Sequence, residues 1–326
     1  MRSVAVTETL SPKRIPEWTE GRLGAEADLS SNAMTIPAHP PTTEYRHFIW
    51  DTRRWQGFRH RPGDIFVATP PKCGTTWTQT IVAMLLFPDG NLPGSVMEVA
   101  PWLDARFYPI DSTLAGLEAQ KHRRSIKTHT AADGVPWWPD AYYIVVGRDG
   151  RDAFMSFVNH MASLRPDKVG ELIESAVAEG ISFEAMPPQN DIHEFFAGWL
   201  AEGGLFHFLS TWWALRDEPN VLFVHYDELK ADLEKQVRRI AAFAKIPIDE
   251  KQLPGILERC SFQWMKSNWK KIGPIDDMFV GGGDSFFFKG TNGRWKDVLT
   301  KAELEAYEAR SREMMPPDLK AWLDRS

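Results

Sequence analysis

The sequence has few cysteines and no long apolar run. Cys73 and Cys260 are the only cysteines among 326 residues, so neither a disulfide framework nor a cysteine-rich zinc site is expected. The longest apolar stretch, residues 81–87, is much shorter than the roughly 20 residues that a membrane span needs. The N-terminus also lacks the apolar run of a secretory signal. We therefore expect a cytoplasmic protein without a transmembrane segment.

The chain also has no excess of positive charge. The chain has 38 Lys and Arg against 44 Asp and Glu, a net charge of -6. A general nucleic-acid binder needs a dominant basic face, so nucleic acid is not an expected partner. A local basic pocket for a small anion is still compatible with this balance. Tryptophan, by contrast, is abundant, with 14 Trp beside 6 Tyr, and flat indoles can line a pocket as well as fill a core.

The pattern along the chain predicts an N-terminal arm followed by one domain. Residues 1–43 are polar, have no helical or strand period and end in a proline-rich stretch, which is typical of a tail or a surface-wrapping arm. Residues 44–326 contain no repeat and no boundary between domains. The sequence carries no recognised signal for an oligomeric state.

Short buried strands alternate with helices in this domain. Strands are predicted at residues 64–69, 125–129, 142–146 and 221–224. Helices are predicted at residues 75–87, from about 152 to 163, at 194–215 with a break at Gly203-Gly204, at 227–245, and at 301–324 with a break at two prolines. This alternation indicates an α/β domain in which helices flank a central parallel sheet. Residues 164–192 are predicted to be a mobile cover, and residues 281–283 a flexible loop.

The most informative segment, Thr69-Pro-Pro-Lys-Cys-Gly-Thr-Thr-Trp77, joins a predicted strand to a predicted helix. Backbone N–H groups at such a junction favour an anion. Lys72 adds a positive charge, Gly74 allows close approach of the backbone, and the two threonines add hydroxyl donors. The final indole could stack on a base. A loop that only caps the helix would explain the same residues. The segment is not the nucleoside-triphosphate loop, because its lysine precedes its only glycine.

The segment closely resembles the 5′-phosphosulfate loop of the cytosolic-type sulfotransferases, usually T-Y-P-K-S-G-T-T-W. Pro70 replaces the tyrosine and Cys73 replaces the serine. The resemblance implies the fold of that family, which is similar to that of P-loop nucleotide hydrolases. It also implies the donor 3′-phosphoadenosine 5′-phosphosulfate (PAPS). The ligands implied in this loop are Lys72, Cys73, Gly74, Thr75, Thr76 and Trp77.

Further segments follow in the order that this family has them. Ser125-Ile-Lys-Thr-His129 resembles the segment with the catalytic histidine, which implies His129 as general base and Lys127 as a supporting residue. A lone histidine would otherwise be interpreted as a structural, hydrogen-bonded side chain. The other implied nucleotide ligands are Arg148, Ser156, Tyr226, Ser261, Phe262, Phe286, Lys289 and Gly290. Bacterial members, including a mycobacterial glycolipid sulfotransferase, look particularly similar.

Two positions depart from the family pattern near the implied 3′-phosphate site. Phe288 stands where the family usually has arginine, which removes one phosphate ligand. Arg294 stands where the family has aspartate, and it could substitute for the missing arginine. The identity of the donor is therefore better supported than its affinity.

The resemblance implies transfer of a sulfuryl group from PAPS to a hydroxyl or amine, leaving adenosine 3′,5′-bisphosphate (PAP) and requiring no metal. Aromatic residues suggest an apolar or aromatic acceptor. The candidate acceptor residues are Trp102, Phe107 and Tyr108, although packing in the core is the simpler interpretation of each aromatic. Two alternatives stay open: a nucleotide-dependent kinase of related fold, and a catalytically silent nucleotide-binding protein.

Overall fold

Four parallel strands form the centre of the molecule. The computed structural model describes residues 37–182 and 191–325. Its strands are β1 (Ile65–Ala68), β2 (Ser125–Thr128), β3 (Tyr142–Gly147) and β4 (Val221–His225). They lie in the order β2-β1-β3-β4, and each neighbouring pair is parallel. Parallel neighbours need crossover connections, which the intervening helices provide.

Helices flank this sheet. They are α1 (Thr75–Leu86), α2 (Val96–Val99), α3 (Ile110–Ala119), α4 (Gly150–Ser163), α5 (Pro166–Ala178), α6 (Ile192–Glu202), α7 (Gly204–Trp213), α8 (Tyr226–Ala231), α9 (Leu233–Phe243), α10 (Leu253–Arg259), α11 (Phe262–Ser267), α12 (Trp269–Ile272), α13 (Gly282–Phe286), α14 (Lys301–Met314) and α15 (Pro317–Leu323). Within residues 37–182 and 191–325, no helix is both long and apolar enough to cross a membrane.

The two faces of the sheet pack against different helices. Successive residues of a strand point to opposite faces. In β1, Phe66 and Ala68 belong to the core shared with α4, α6, α7 and α14, whereas Ile65 and Val67 belong to the core shared with α1, α9 and α10. All four residues are 0% exposed. A sheet that is covered on both faces explains why its strands read as continuous apolar runs.

This architecture confirms the predicted single α/β domain with a central parallel sheet. The break at Gly203 is also confirmed, because this residue adopts φ 65° between α6 and α7. The continuous helix predicted over residues 227–245 is wrong. The helix breaks at Asp232, whose side chain accepts a hydrogen bond from the Lys235 N–H and so starts α9 as a new N-cap.

Two segments predicted to be mobile contain regular structure. The predicted cover includes the helix α5, while residues 183–190 of it lie outside the described residues. The predicted flexible loop at residues 281–283 is wrong. Gly282 and Gly283 are buried at the start of α13, and a Cβ on Gly283 would come within 2.1 Å of the Trp269 ring. Close packing against this indole orders the glycine-rich segment.

The described end of the N-terminal arm lies along residues 133–137. The Ala38 N–H donates to the Trp137 carbonyl at 2.9 Å, and the Thr42 N–H donates to the Asp133 carbonyl at 2.8 Å. Residues 1–36 lie outside the described residues. The boundary between an arm and a domain at residues 43 and 44 stays a prediction.

Candidate active site

The carboxyl ends of the four strands meet at one edge of the sheet, and the predicted site residues follow them. Lys72 lies in the loop after β1, His129 comes directly after β2, Arg148 directly after β3 and Tyr226 directly after β4. Ligand sites of open parallel sheets occur at this edge. The fold therefore gathers residues that are far apart in the sequence.

The loop after β1 is tightly turned. Lys72 has φ 67° and Gly74 has φ 102°, left-handed values that favour glycine and are uncommon for lysine. A Cβ on Gly74 would lie 2.9 Å from Cδ2 of Tyr226, so only glycine fits there without a shift. The N-cap of α1, which begins at Thr75, is Gly74 and so offers no side chain to cap the helix. Its first N–H groups are thus suited to an anion.

Lys72 has a histidine neighbour that the sequence reasoning missed. Its Nζ donates a hydrogen bond to Nδ1 of His160 at 3.1 Å, and it lies 5.3 Å from the centroid of the Phe286 ring. Burial, with a smaller contribution from Arg148, lowers the pKa of Lys72 to about 8. His160 lies on α4 four residues beyond Ser156, hence on the same helix face. That spacing is the only signal of it in the sequence.

A backbone carbonyl selects the tautomer of His129. Nδ1 lies 2.6 Å from the Thr69 carbonyl oxygen, and because a carbonyl can only accept, Nδ1 carries the proton and donates. In the neutral ring Nε2 is then left with its lone pair. Burial and the nearby charge of Lys127 hold the pKa of His129 well below its usual 6.5. The imidazole is therefore neutral near pH 7 and can accept a proton.

Lys127 and one of the three candidate acceptor residues, Trp102, lie beside this histidine. The Lys127 Nζ is 3.9 Å from the Trp102 ring centroid, and the same indole meets the His129 ring edge-on at 4.6 Å. Phe107 packs edge-on against Trp102 at 5.4 Å. Burial lowers the pKa of Lys127 to about 7, with Asp104 opposing the shift and Lys72 adding to it. Tyr108 is 57% exposed.

Two guanidinium groups lie near the predicted 3′-phosphate site. Arg148 is 4% exposed, stacks 4.2 Å over the Tyr226 ring and donates to Asn292 Oδ1 at 2.7 Å. Arg294 donates to the Met155 carbonyl at 3.0 Å, next to the predicted ligand Ser156. The Nε atoms of both arginines are buried and have no hydrogen-bond partner among the described residues.

A group of aromatic residues lies at the predicted adenine side. Trp77 meets Tyr226 edge-on at 5.6 Å and donates its Nε1–H to the Cys260 carbonyl at 2.7 Å. The Ser261 hydroxyl accepts from the Trp264 N–H at 3.1 Å as the N-cap of α11. The hydrogen bond to Cys260 and the contact with Tyr226 hold the Trp77 indole in one orientation. Its stacking on a base stays a prediction.

The remaining predicted ligands differ in accessibility. A Cβ on Gly290 would lie 3.0 Å from the Phe262 ring, so these two are in close contact. Lys289 is exposed, beside Phe288 on the same loop. Cys73 is buried, and burial raises the pKa of its thiol to about 12. Its N–H points to the Pro70 carbonyl at 3.4 Å, and the role of Cys73 as a donor ligand in this loop stays a prediction.

The predicted absence of a metal also stays a prediction. Within the part of the chain that the structure describes, no group of three or more His, Cys, Asp or Glu side chains could hold a metal ion. The basic groups of the site would instead attract an anion.

Comparisons with known proteins agree with this geometry. The family model described as the sulfotransferase domain matches residues 62–317. The chain is 34% identical over 313 residues to a glycolipid sulfotransferase of Mycobacterium bovis (strain BCG / Pasteur 1173P2), covering 87% of this chain and 95% of that protein. It is 30% identical over 283 residues to Sulfotransferase 1B1 of Mus musculus, covering 80% and 86%.

A solved structure shares the fold. The crystal structure of mouse sulfotransferase SULT7A1 complexed with PAP matches with a TM-score of 0.62 and 21% identity, covering 83% of this chain and 93% of that one. The prediction of the family from sequence motifs is confirmed, and the kinase alternative is not favoured. With matches across most of its length, the chain belongs to the sulfotransferase family.

Proposed function

We propose that this sulfotransferase moves a sulfuryl group from PAPS to a hydroxyl or amine of an apolar, lipid-like acceptor. The observation that carries the proposal is the group formed by Lys72, Lys127 and His129 at one sheet edge, where a neutral imidazole is influenced by two lysines of lowered pKa. Such a group suits an anionic donor and an acceptor that must lose a proton.

The nucleotide end of the site has a chemistry that fits the donor. Arg148 and Arg294 each keep a buried Nε without a partner among the described residues, and the two positive charges repel each other. A phosphate between them would satisfy both, since guanidinium binds phosphate with paired hydrogen bonds. The mouse structure of similar fold is complexed with PAP, which supports this assignment.

Arg294 is the proposed replacement for the arginine that position 288 lacks. Its Cζ lies 5.5 Å from the ring centroid of Phe288, so the guanidinium occupies the neighbourhood of that side chain. The exposed Lys289 would close over the 3′-phosphate from the same loop. Trp77 and Tyr226 would contact the adenine.

Each basic residue has a separate role in the proposed reaction. When bound, PAPS supplies an activated sulfuryl group. His129 takes the acceptor's proton at Nε2, while Thr69 holds the opposite nitrogen. Lys72 and the free N–H groups of α1 neutralise negative charge at the 5′-phosphate, and Lys127 does so near the acceptor. General-base catalysis of this kind contributes about 10²–10⁴-fold.

The acceptor side is argued from the aromatic residues beside the base. Trp102 presents an apolar ring next to His129, and Phe107 packs against that indole. Tyr108 offers an exposed ring. The similar mycobacterial protein is named a glycolipid sulfotransferase. A hydroxyl on a lipid-like molecule therefore fits this surface best.

The test is transfer of radiolabelled sulfate from PAPS to a panel of phenols, sterols, alcohols, amines and glycolipids. We expect transfer to lipid-like alcohols or glycolipids. His129→Ala should reduce turnover by about 10²-fold or more while leaving PAP affinity within about twofold. PAP binding without transfer to any acceptor class would favour the silent nucleotide-binding protein. Wild-type turnover in His129→Ala would remove this residue from the base role.

A further inference from the structure

A fully buried carboxylate lies behind the residues that carry the proposed base. Asp104 is 0% exposed. Its Oδ2 accepts hydrogen bonds from the Thr128 hydroxyl at 2.5 Å, the Thr130 hydroxyl at 2.7 Å and the Trp55 indole at 3.3 Å. The two threonines are the immediate neighbours of His129. One oxygen atom thus holds the chain on both sides of the imidazole.

The backbone near Asp104 is tied to the same strand. The Lys127 N–H donates to the Pro101 carbonyl at 2.9 Å, and Trp102 forms an isolated parallel bridge with Lys127. The segment of residues 101–104 therefore runs beside the end of β2. It brings a negative charge close to Lys127 without a direct ion pair between the two side chains.

Two positively charged side chains act on this carboxylate. Arg54 and Lys127 both interact with Asp104. The charge of Lys72 opposes that of Lys127, and the charge of Lys127 also acts on His129 and His160. The negative charge of Asp104 thus partly offsets the repulsion between the charges of Lys127 and Lys72. Burial raises the pKa of Asp104 itself, but the hydroxyl and indole donors oppose that shift.

We propose that Asp104 is a positioning residue for sulfuryl transfer, which orients His129 through Thr128 and Thr130 and supplies the buried negative charge opposite Lys127. This inference rests on the proposed function. The carboxylate touches neither donor nor acceptor and acts only through the residues that do. Asp104 would thus have two effects, the orientation of His129 and the electrostatic stabilisation of charged Lys127. Different mutations can separate them.

Asp104→Asn keeps the shape and removes the charge. We expect kcat to fall about tenfold or more and the KM for PAPS to stay within about twofold. We also expect the titration of Lys127, followed by NMR of labelled lysine side chains, to move roughly one unit lower, as expected when an opposite charge is lost. Thr130→Val removes one hydrogen bond and keeps the charge. It should lower kcat without moving the Lys127 titration.

Asp64→Asn is the matched control. Asp64 is also buried, but it lies before β1 at the opposite edge of the sheet, where it pairs with Arg124 at 2.6 Å. This change should lower the thermal midpoint and leave the Lys127 titration unmoved. An unmoved titration and wild-type kcat in Asp104→Asn would overturn the proposal, as would an equal shift in Asp64→Asn.

Two further outcomes are also decisive. If Asp104→Asn does not fold, unchanged kcat in Thr130→Val overturns the orienting role. The lysine titration needs no turnover, so it separates this inference from the proposed function. A shifted titration in a protein that transfers no sulfate would support the electrostatic role of Asp104 and contradict sulfuryl transfer.

Discussion

The lysines at the sheet edge titrate closer to neutrality than lysine usually does. Burial lowers the pKa of Lys72 to about 8 and that of Lys127 to about 7. The pKa of His129 is held well below 6.5 by burial and by Lys127. The free enzyme therefore has a neutral base and charged lysines together only in a limited pH range. A bound anion would raise both lysine pKa values and widen that range.

The pH dependence of kcat/KM tests this arrangement, because it reports the ionisation of the free enzyme. Activity should rise at low pH as His129 loses its proton. It should fall as pH increases through about 7 to 8, where Lys127 and Lys72 lose theirs. Lys72→Arg should move the last decline to higher pH, since arginine stays charged. A wild-type profile that stays level up to pH 9 would contradict the lowered lysine pKa values.

At the scale of elements, the two departures from the family pattern near the proposed 3′-phosphate site both follow α13: Phe288 lies in the loop after it, and Arg294 begins the 3-10 helix Arg294–Asp297. Arg294 lies over the ring of Phe288, so an arginine at either position would present its guanidinium to the same region. The nearby Asn292 already joins this loop to Arg148. Under the proposed function, the site would thus keep an arginine for the 3′-phosphate although its position in the sequence has changed.

Moving the arginine from position 294 to position 288 tests whether Arg294 replaces the family's usual arginine. Arg294→Asp should weaken PAP binding by about 10–100-fold, because charge-assisted hydrogen bonds contribute about 1.5–3 kcal/mol. Binding of adenosine 5′-monophosphate, which lacks the 3′-phosphate, should change less than about threefold. Adding Phe288→Arg to the same variant should restore most of the PAP affinity. Calorimetry can measure both nucleotides.

Lys296→Asp provides the matched control for this swap. Lys296 lies in the same 3-10 helix as Arg294 and is exposed. Its substitution by aspartate changes the net charge by the same amount as Arg294→Asp. It should leave PAP affinity within about twofold. Equal losses of affinity for both nucleotides in Arg294→Asp would refute a role specific to the 3′-phosphate.

At the scale of the whole molecule, the proposed nucleotide site draws on elements from most of the domain. Lys72 follows β1, Arg148 precedes α4, Tyr226 begins α8 and Ser261 caps α11, while Arg294 follows α13. A ligand that contacts all of them links these elements together. It binds only the folded chain, and therefore stabilises it.

Ligand-linked stability gives the corresponding prediction. PAP at one hundred times its dissociation constant should raise the free energy of unfolding by about 2.7 kcal/mol. Thermal or urea unfolding can measure this increase. Arg148→Ala should lose most of the stabilisation at the same PAP concentration, and adenosine 5′-monophosphate should stabilise both proteins to a similar small extent. Equal stabilisation of wild type and Arg148→Ala by PAP would count against the assignment of this arginine.

The sequence by itself determined the class of fold and the order of its main elements. Strands buried on both faces must be continuous apolar runs, and such runs are visible without a structure. Glycine at Gly203 and prolines near residue 316 also marked real ends of helices. The family motifs, read together, led to Lys72, His129 and Arg148, since each lies in a short local pattern.

Only the tertiary structure decided which side chains meet at the site. His160 lies 88 positions from its partner Lys72, and Asp104 lies 24 positions from Thr128. The close packing of Gly283 on Trp269 is a tertiary contact too. It is the reason why the prediction of a flexible loop at residues 281–283 was wrong. Local patterns reflect the period of one element, whereas these contacts depend on how separate elements pack. For that reason the motifs that suggest the proposed chemistry were visible in the sequence, whereas the neighbours His160 and Asp104 were not.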